Sequence, residues 1–306
     1  MLNSNASDIS PEILLANPSL NPYGYVPSKP AALAFISLFV IATVAHVGQA
    51  IFFRMWWLFP TVCLSGFLEI AGWIGRLMSN QNISSTTGFT IQIVCTIVGP
   101  TPLISVNFVL LAQIVRRLGQ SYSWITAKWY SIIFVSCDII ALVVQGLGGG
   151  QAAHAATTGH DPKLGANVML AGIAFQFATL TLYIISAAEF FRRYIKKRAA
   201  RKSSPPLDTR GYLDTRLNIL IGELTFSTTC LFIRSIYRII ELATGWGGRI
   251  ITTEIYFAVL DGVMVLLAIF SLNIAHPGWS MRAVRSEVEG LEQVKTDEFS
   301  LKSIRA

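Results

Sequence analysis

The sequence predicts an all-α membrane protein: a seven-transmembrane helix bundle with its amino terminus outside and its carboxyl terminus in the cytosol. Two observations predict this fold class. Of the 306 residues, 53% are hydrophobic and only 13% are charged, with a mean hydropathy of +0.54, whereas a soluble domain has about 25% charged residues. The apolar residues also gather into stretches of about 20, the length of helix that spans a bilayer.

Seven stretches are long and apolar enough to be transmembrane helices, and we number them spans 1 to 7. They cover about residues 31–53, 55–77, 90–115, 129–150, 165–191, 216–242 and 252–275. Span 3 contains Pro100 and Pro102, which remove backbone donors, so a kink is expected there. Residues 25–276 form the transmembrane domain. They follow a disordered extracellular segment over 1–24 and precede a cytosolic tail over 277–306.

The distribution of lysine and arginine predicts the orientation. The loop between spans 5 and 6 has eight basic residues, the loop between spans 3 and 4 has three, and the tail has five. The opposite side has only Lys29, Lys163 and Arg249. Because basic loops stay in the cytosol, this asymmetry places the amino terminus outside. The net charge of +7 is then explained by topology and anionic lipid head groups, without nucleic acid.

Two glycosylation triplets agree with this orientation. They are Asn5-Ala6-Ser7 and Asn82-Ile83-Ser84, and both fall on the side predicted to be outside. Asn5 and Asn82 are therefore the candidate acceptor residues for N-linked sugar.

No cofactor or metal site is expected. Gly146–Gly150, at the end of span 4, lacks the Lys-Ser/Thr pair of a phosphate-binding loop, so we interpret it as a close-packed or flexible helix end. His46 and His276 fall near the predicted cytosolic side, whereas His154 and His160 fall near the other side. Histidines at such different depths cannot converge on one zinc ion.

Span 6 is the first place to look for function, because it is apolar enough to span the membrane yet contains four charges. Arg234, Arg238 and Glu241 follow Glu223 by 11, 15 and 18 residues, and this spacing places all four on one face of a helix. An ionised side chain in hydrocarbon costs about 2.5–3.5 kcal/mol. The charged face must therefore contact other helices or water.

Other polar groups lie at membrane depth on neighbouring spans. A rise of about 1.5 Å per residue places Asp261 of span 7 level with Arg234, and Asp138 of span 4 near mid-membrane. Most of these groups fall in the outer half of the bundle, which predicts a polar cavity open towards the outer leaflet. The candidate substrate-binding residues are Glu69, Arg76, Gln92, Asp138, Gln145, Gln176, Arg234, Arg238, Glu241 and Asp261.

A purely structural interpretation of the charges stays open. Arg234 with Asp261, and Arg76 with Glu69 or Glu241, could be closed ion pairs that only determine how the helices pack. Ionisable groups inside a membrane are nonetheless functional by default. Their number here favours a ligand site.

Several of these residues also stand in motifs. The most specific is Arg234-x-x-Tyr237-Arg238-x-x-Glu241. The other landmarks are Glu69-x-x-Gly72-x-x-x-Arg76, Asp138, Gln145, the glycines through Gly150, Gly172-x-x-x-Gln176, Glu254 and Asp261. From Tyr25-x-Pro27 to His276-Pro277, the chain resembles the fungal RTA-like family (resistance to aminocholesterol), which is classed as lipid-translocating exporters.

The resemblance implies a seven-helix protein of the plasma membrane or endomembranes. Members of the family are associated with export or transbilayer movement of sphingoid bases and related amphipaths, and some with porphyrin traffic. Trp73 stands where the family leads us to expect tyrosine, and Asn107-Phe108 stands where we expect a small residue and a tyrosine. The departure in span 3 bears on substrate preference. The resemblance carries over no catalytic or binding residues.

Three functions are compatible with these observations. The first is translocation or export of amphipathic lipids such as sphingoid bases, phospholipids or sterol-like toxicants, with membrane lipids and an amphipathic or porphyrin-like ligand as partners. The second is a seven-helix lipid sensor or receptor. The third is a lipid-modifying enzyme in which Asp138 and Asp261 share acid and base roles. We favour the transporter, located in the plasma membrane rather than in endomembranes.

Overall fold

The computed structural model describes residues 23–83, 85–158, 160–197, 213–245 and 248–279, without the side chains of residues 153, 154 and 156–158. Within these ranges the protein is helical, with no strands, and seven helices are long and apolar enough to cross a membrane. The spans are Lys29–Phe53, Trp56–Gln81, Thr86–Leu118, Ala127–Ala152, Lys163–Ile195, Thr215–Ala243 and Glu254–Trp279. The predicted all-α, seven-helix fold is therefore confirmed.

Some predictions fall on residues outside these ranges and stay predictions. They concern Asn5 and residues 1–22, the part of the basic loop over 198–212, and the tail from residue 280. Asn82 directly follows the helix of span 2, but Ser84 of its triplet is outside the described residues. The orientation in the membrane also stays a prediction. We use "outer end" for the end of the bundle where spans 3 and 7 begin.

Polar side chains cap the starts of spans 1 and 6. The Ser28 hydroxyl accepts a hydrogen bond from the Ala31 N–H at 3.4 Å. Asp214 Oδ1 accepts from the Leu217 N–H at 2.7 Å, and Asp214 Oδ2 accepts from Arg117 Nη2 at 2.9 Å. The backbone bond from Leu217, together with the Arg117 charge, lowers the pKa of Asp214. Asp214 thus joins the end of span 3 to the start of span 6.

We expect Asp214→Ala to reduce the free energy of unfolding by about 1 kcal/mol, because the helix loses its N-cap. Asp214→Asn, which can still cap, should lose less. Because folding lowers the pKa of Asp214, its stabilisation is present above the ordinary carboxyl pKa and is lost as the pH falls through the lowered one. Thermal unfolding in detergent measures both effects, and equal melting temperatures for wild type and Asp214→Ala would contradict the capping role.

Two spans are irregular where they pass the polar residues. Span 3 divides at Gly99 into the helices Thr86–Val98 and Pro100–Leu118, at the point where the prolines predicted an irregularity. Span 7 contains a π-helical turn over Ala258–Val263, and such turns are frequent at functional sites. Asp261 lies in this turn and is therefore presented from a widened part of the helix.

The bundle packs tightly around span 3 and along the contact between spans 4 and 5. The inner part of span 3 is buried on most of its surface, as shown by Leu103, Val106 and Phe108 with no exposed side-chain area. Between spans 4 and 5, a Cβ atom at Gly148 would collide with the backbone of Met169. Close packing at the glycine-rich end of span 4 is therefore confirmed at this position.

Candidate functional site

Arg238 is the centre of a buried polar network between spans 3, 6 and 7. Its Nε and Nη2 donate to the two carboxylate oxygens of Asp261 at 2.9 and 2.6 Å. Nη1 donates to Glu241 Oε2 at 2.8 Å, and Nη2 also donates to Thr96 Oγ1 at 2.9 Å. The Arg238 side chain is only 4% exposed. Bidentate pairing of this kind gives the contact a defined geometry as well as a neutral charge.

Arg234 and Tyr237 complete the network. Arg234 Nη2 donates to the Thr96 carbonyl at 2.6 Å. Arg234 Nε lies 2.9 Å from Asp261 Oδ1, close enough for an ion pair but not aligned for a hydrogen bond. The Tyr237 hydroxyl donates to Glu241 Oε1 at 2.7 Å. The predicted pairing of Arg234 with Asp261 is therefore confirmed, and it forms part of a larger network.

Glu69 lies beside this network without taking part in its hydrogen bonds. Its side chain is completely buried, and neither carboxyl oxygen has a hydrogen-bond partner among the described residues. The charges of Asp261, Arg234 and Arg238 all act on it. On its other side span 3 approaches so closely that a Cβ atom at Gly99 would lie 2.9 Å from Glu69 Oε1.

Arg76 is held in a second polar group at the outer end. Its Nη2 donates to the Tyr25 hydroxyl at 2.6 Å and to Glu254 Oε1 at 2.9 Å, and its Nη1 donates to Gln92 Oε1 at 3.2 Å. The salt-bridge partner is thus Glu254, and not Glu69 or Glu241 as the sequence suggested. The pairing follows from the start of span 7, which places an acidic residue at the outer rim of the bundle.

The segment before span 1 covers this outer end. Burial raises the pKa of Tyr23 to about 12, so its hydroxyl stays protonated and donates to Ser79 Oγ at 3.0 Å. Asn80 Nδ2 donates to the Pro27 carbonyl at 2.7 Å. Beneath the segment is a cavity of about 20 Å³, which has room for about one water molecule. In this structure the outer end is closed.

We expect Tyr25→Phe to lower the free energy of unfolding by about 1.5–3 kcal/mol, because Arg76 loses a charge-assisted hydrogen bond in a buried place. Tyr23→Phe is the matched comparison. It removes the bond to a neutral hydroxyl, Ser79, and should cost about 1 kcal/mol. Unfolding in detergent, followed by circular dichroism, measures the two variants side by side. A larger effect at Tyr23 than at Tyr25 would contradict the assigned role of the Arg76 contact.

A third polar group connects spans 3, 4 and 5. Gln145 Nε2 donates to Gln176 Oε1 at 3.0 Å, and Gln176 Nε2 donates to Thr101 Oγ1 at 3.0 Å. Asp138 is only 1% exposed, and its oxygens have no hydrogen-bond partner in the described ranges. Asp261, in contrast, bonds to the arginines of span 6. The ten candidate residues therefore form three groups. They are Arg234, Arg238, Glu241 and Asp261 with Glu69 beside them, then Arg76 with Gln92, and then Asp138, Gln145 and Gln176.

Thr96, Glu254 and Phe257 belong to the site but were not among the predicted binding residues. Thr96 contributes both its hydroxyl and its carbonyl, and a threonine in an apolar helix gives no signal in the sequence. Glu254 could have been found as an acidic residue that begins a span. Phe257, one turn further along, lies 4.6 Å from Arg76 Cζ and 5.3 Å from Arg238 Cζ, measured to the ring centre. Its ring brings the first two polar groups together.

Glu223 shares the buried face of span 6 but lies far from the network. It precedes Arg234 by 11 residues, which is about 17 Å along the helix. It is 5% exposed, and its carboxyl oxygens have no hydrogen-bond partner within the described parts of the chain. The single charged face predicted for span 6 is confirmed as buried, but it serves two regions of the bundle.

A larger cavity lies at the other end of the bundle, between spans 1, 6 and 7. It measures about 520 Å³, within the range of about 300–1,000 Å³ that is usual for small-molecule sites. Apolar side chains predominate in its lining. The lining residues include Phe52, Phe53, Leu220, Ile274, Arg216 and His276.

Comparison with known proteins connects the chain to one family. A family model described as RTA1 like protein matches residues 62–283. This range contains Glu69 and the whole Arg238 network. No solved structure matches the chain.

Relatives in fungi have names that refer to lipids and porphyrins. The sphingoid long-chain base transporter RSB1 of Saccharomyces cerevisiae is 30% identical over 92% of this chain and 80% of its own length. Protoporphyrin uptake protein 1 of the same species is 26% identical over 82% of this chain and 90% of its own. The lipid-translocating exporter-like protein RTA1 of Leptosphaeria maculans is 24% identical over 84% of this chain and 51% of its own.

Proposed function

Because the chain belongs to the RTA1-like family, we propose that it moves amphipathic lipids with a cationic head group, of the sphingoid-base class, across the bilayer. Seven membrane-spanning helices and relatives named as lipid transporters support a multi-pass membrane protein of lipid transport in general. The choice of head group, the binding residues and a plasma-membrane location are our proposal.

The observation that carries the choice of head group is the buried carboxyl group of Glu69. It has no hydrogen-bond partner among the described residues, and it lies beside the Arg238 network at membrane depth. A primary ammonium group is a compact cation with three donors. It would supply both the charge and the hydrogen bonds that this carboxylate lacks, as buried polar groups require.

A head group of the opposite charge suits the site less well. The carboxylates of a porphyrin, or a lipid phosphate, would need a cationic partner. Arg234 and Arg238 already contact Asp261, and Arg76 already contacts Glu254. Binding an anion would require at least one of these pairs to break, whereas binding an ammonium group at Glu69 would not.

The two ends of the bundle suggest where the lipid passes. The segment from residue 23 to 28 closes the outer end, while the cavity of about 520 Å³ lies at the opposite end and has a largely apolar lining. We assign the alkyl chain to this cavity and the head group to Glu69 and the Arg238 network. The group of Asp138, Gln145 and Gln176 would provide polar contacts during passage.

Reconstitution tests the function directly. The purified protein is placed in lipid vesicles with a chain-labelled sphingoid base, and the label in the outer leaflet is bleached by an impermeant reductant. We expect faster exchange of label between leaflets than in vesicles without protein. A chain-labelled zwitterionic phospholipid serves as the comparison. Failure to move any labelled lipid would contradict transport, and movement of the phospholipid alone would contradict the proposed head group.

A further inference from the structure

We propose that Glu69 exchanges a proton for the ammonium group of the lipid, so that lipid moves in one direction while a proton moves in the other. This inference rests on the function proposed above. It adds a source of energy for that function: a pH difference across the membrane.

The first step is a count of the buried charges at the outer end. Arg234 and Arg238 balance Asp261 and Glu241, because the four side chains are joined by ion pairs. The pair of Arg76 and Glu254 is neutral by itself. Together with Glu69, the set among the described residues therefore has three arginines and four carboxyl groups. Glu69 is the one member whose charge has no counterpart.

The second step concerns the surroundings of Glu69. The titratable groups that act on it are Asp261 from span 7, Arg234 and Arg238 from span 6, and Cys95 from span 3. The charges of both arginines are already balanced by Asp261 and Glu241, so neither arginine is available as a counter-ion for Glu69. Span 1 also packs against span 2, but its titratable residues, Lys29 and His46, are not among the groups that act on Glu69.

The third step is energetic. A buried carboxylate without a counter-ion or hydrogen bonds is strongly unfavourable, and such a group instead takes up a proton. Within the described ranges Glu69 has no hydrogen-bond partner, and its side chain has no exposed surface. In the empty protein its carboxyl group therefore holds a proton. When the ammonium group of a lipid arrives, it can take the place of that proton as the counter-charge.

The exchange balances in atoms and charge. The protonated carboxyl group of Glu69 and the lipid ammonium group give a carboxylate–ammonium pair and one proton, which leaves to water. Release of the lipid on the opposite side is accompanied by uptake of a proton there. Each cycle moves one positive charge in each direction, so a pH difference should drive transport and a voltage difference should not.

The exchange at Glu69 can be observed by infrared difference spectroscopy on the purified, full-length protein in detergent. Two probes are used: a sphingoid base, and a long-chain trimethylammonium amphipath, which has no proton of its own to lose. Binding of either probe should remove the carbonyl band of a protonated carboxyl group. Glu69→Gln should abolish this change. Glu189→Gln should retain it. This matched substitution removes an arginine-paired glutamate near the end of span 5, far from the outer end of the bundle.

The two outcomes of this measurement are decisive. Binding of the probes to wild type, seen as a rise in melting temperature, without loss of the carboxyl band would overturn the exchange. A band change that persists in Glu69→Gln would also overturn it. If Glu69→Gln does not fold, Glu69→Asp replaces it. In that variant the band should shift in frequency if it belongs to residue 69, and an unshifted band would overturn the assignment.

Transport measurements in vesicles test proton exchange separately from the proposed lipid transport. Movement of the labelled trimethylammonium amphipath is followed under a pH difference, and then under a potassium diffusion potential of similar size. We expect acceleration by the pH difference alone. Movement that ignores the pH difference would overturn proton exchange and leave lipid transport intact. If neither this amphipath nor a labelled sphingoid base moves under any condition, the proposed function itself is contradicted.

Discussion

Arg238→Gln is expected to lower the free energy of unfolding by about 3–5 kcal/mol, because removal of one partner leaves buried carboxylates without their counter-charge. Arg238 makes four hydrogen bonds, two to Asp261 and one each to Glu241 and Thr96. Glutamine can replace at most part of these bonds and none of the charge. A loss of this size is a large part of the stability of an ordinary domain, so poor expression of the variant is part of the expectation.

A double-mutant cycle isolates the contribution of the pair. Asp261→Asn alone should also be strongly destabilising, because Arg234 loses its ion-pair partner and Arg238 keeps only Glu241. Arg238→Gln combined with Asp261→Asn leaves one charge of each sign, on Arg234 and Glu241, so the combined loss should be clearly smaller than the sum of the single losses. Chemical unfolding in detergent provides all three values. Additive losses would show that the two side chains do not act as a unit.

The helices of this fold could be predicted from sequence, because the length of an apolar stretch is a local property. The four charges of span 6 were likewise predicted to be buried, since their spacing follows from helix geometry alone. The partner of Arg76 could not be predicted in the same way. Its contact with Glu254 depends on how far span 7 is shifted relative to span 2, and hydropathy leaves that shift undetermined.

Two further features of the site could not be predicted from sequence: the shape of the span 7 helix and the size of the cavity at the outer end. The π-helical turn over Ala258–Val263 changes the direction in which Asp261 projects. The single glycine in the turn, Gly262, is too weak a signal to predict it from sequence. The sequence also does not show whether buried polar residues surround a cavity or pack directly against one another. At the outer end, the side chains of Arg238, Asp261 and Glu241 satisfy one another and leave a cavity of only about 20 Å³. An open cavity there therefore requires a rearrangement of the segment before span 1.

We expect the outer end to open by release of the segment from residue 23 to 28. The segment from residue 23 to 28 is connected to span 2 through Tyr23, Tyr25 and Pro27, and to span 7 through the Ser28 N–H, which donates to Glu254 Oε1 at 2.8 Å. These contacts are polar and lie at the rim. A lipid head group at Glu69 would lie beside the Arg238 network, and the Phe257 ring lies between Arg238 and Arg76. We therefore expect substitutions at Phe257 to affect both lipid binding and the opening of the outer end.

Glu69→Gln should strongly slow lipid movement while leaving the folded protein nearly as stable as wild type. Glutamine matches the size of a protonated glutamate, so the change in the free energy of unfolding should stay within about 1 kcal/mol. Loss of the charge removes a pairing with the lipid ammonium group worth about 1.5–3 kcal/mol, which corresponds to a loss in transport rate of about tenfold or more. Flux of labelled sphingoid base in vesicles, together with melting temperature, measures the two quantities.

The stability of Glu69→Gln compared with that of Arg238→Gln shows whether Glu69 binds a ligand or only stabilises the helix packing. If Glu69 merely stabilised the bundle as an ionised partner of the arginines, Glu69→Gln would remove a buried ionic contact and would be as damaging as Arg238→Gln. Glu189→Gln controls for the loss of a carboxylate and should retain wild-type flux. A Glu69→Gln protein that is strongly destabilised, or one that is stable and transports at the wild-type rate, would each contradict the assignment. Only a stable variant with strongly slowed transport agrees with an unpaired carboxyl group kept for the lipid.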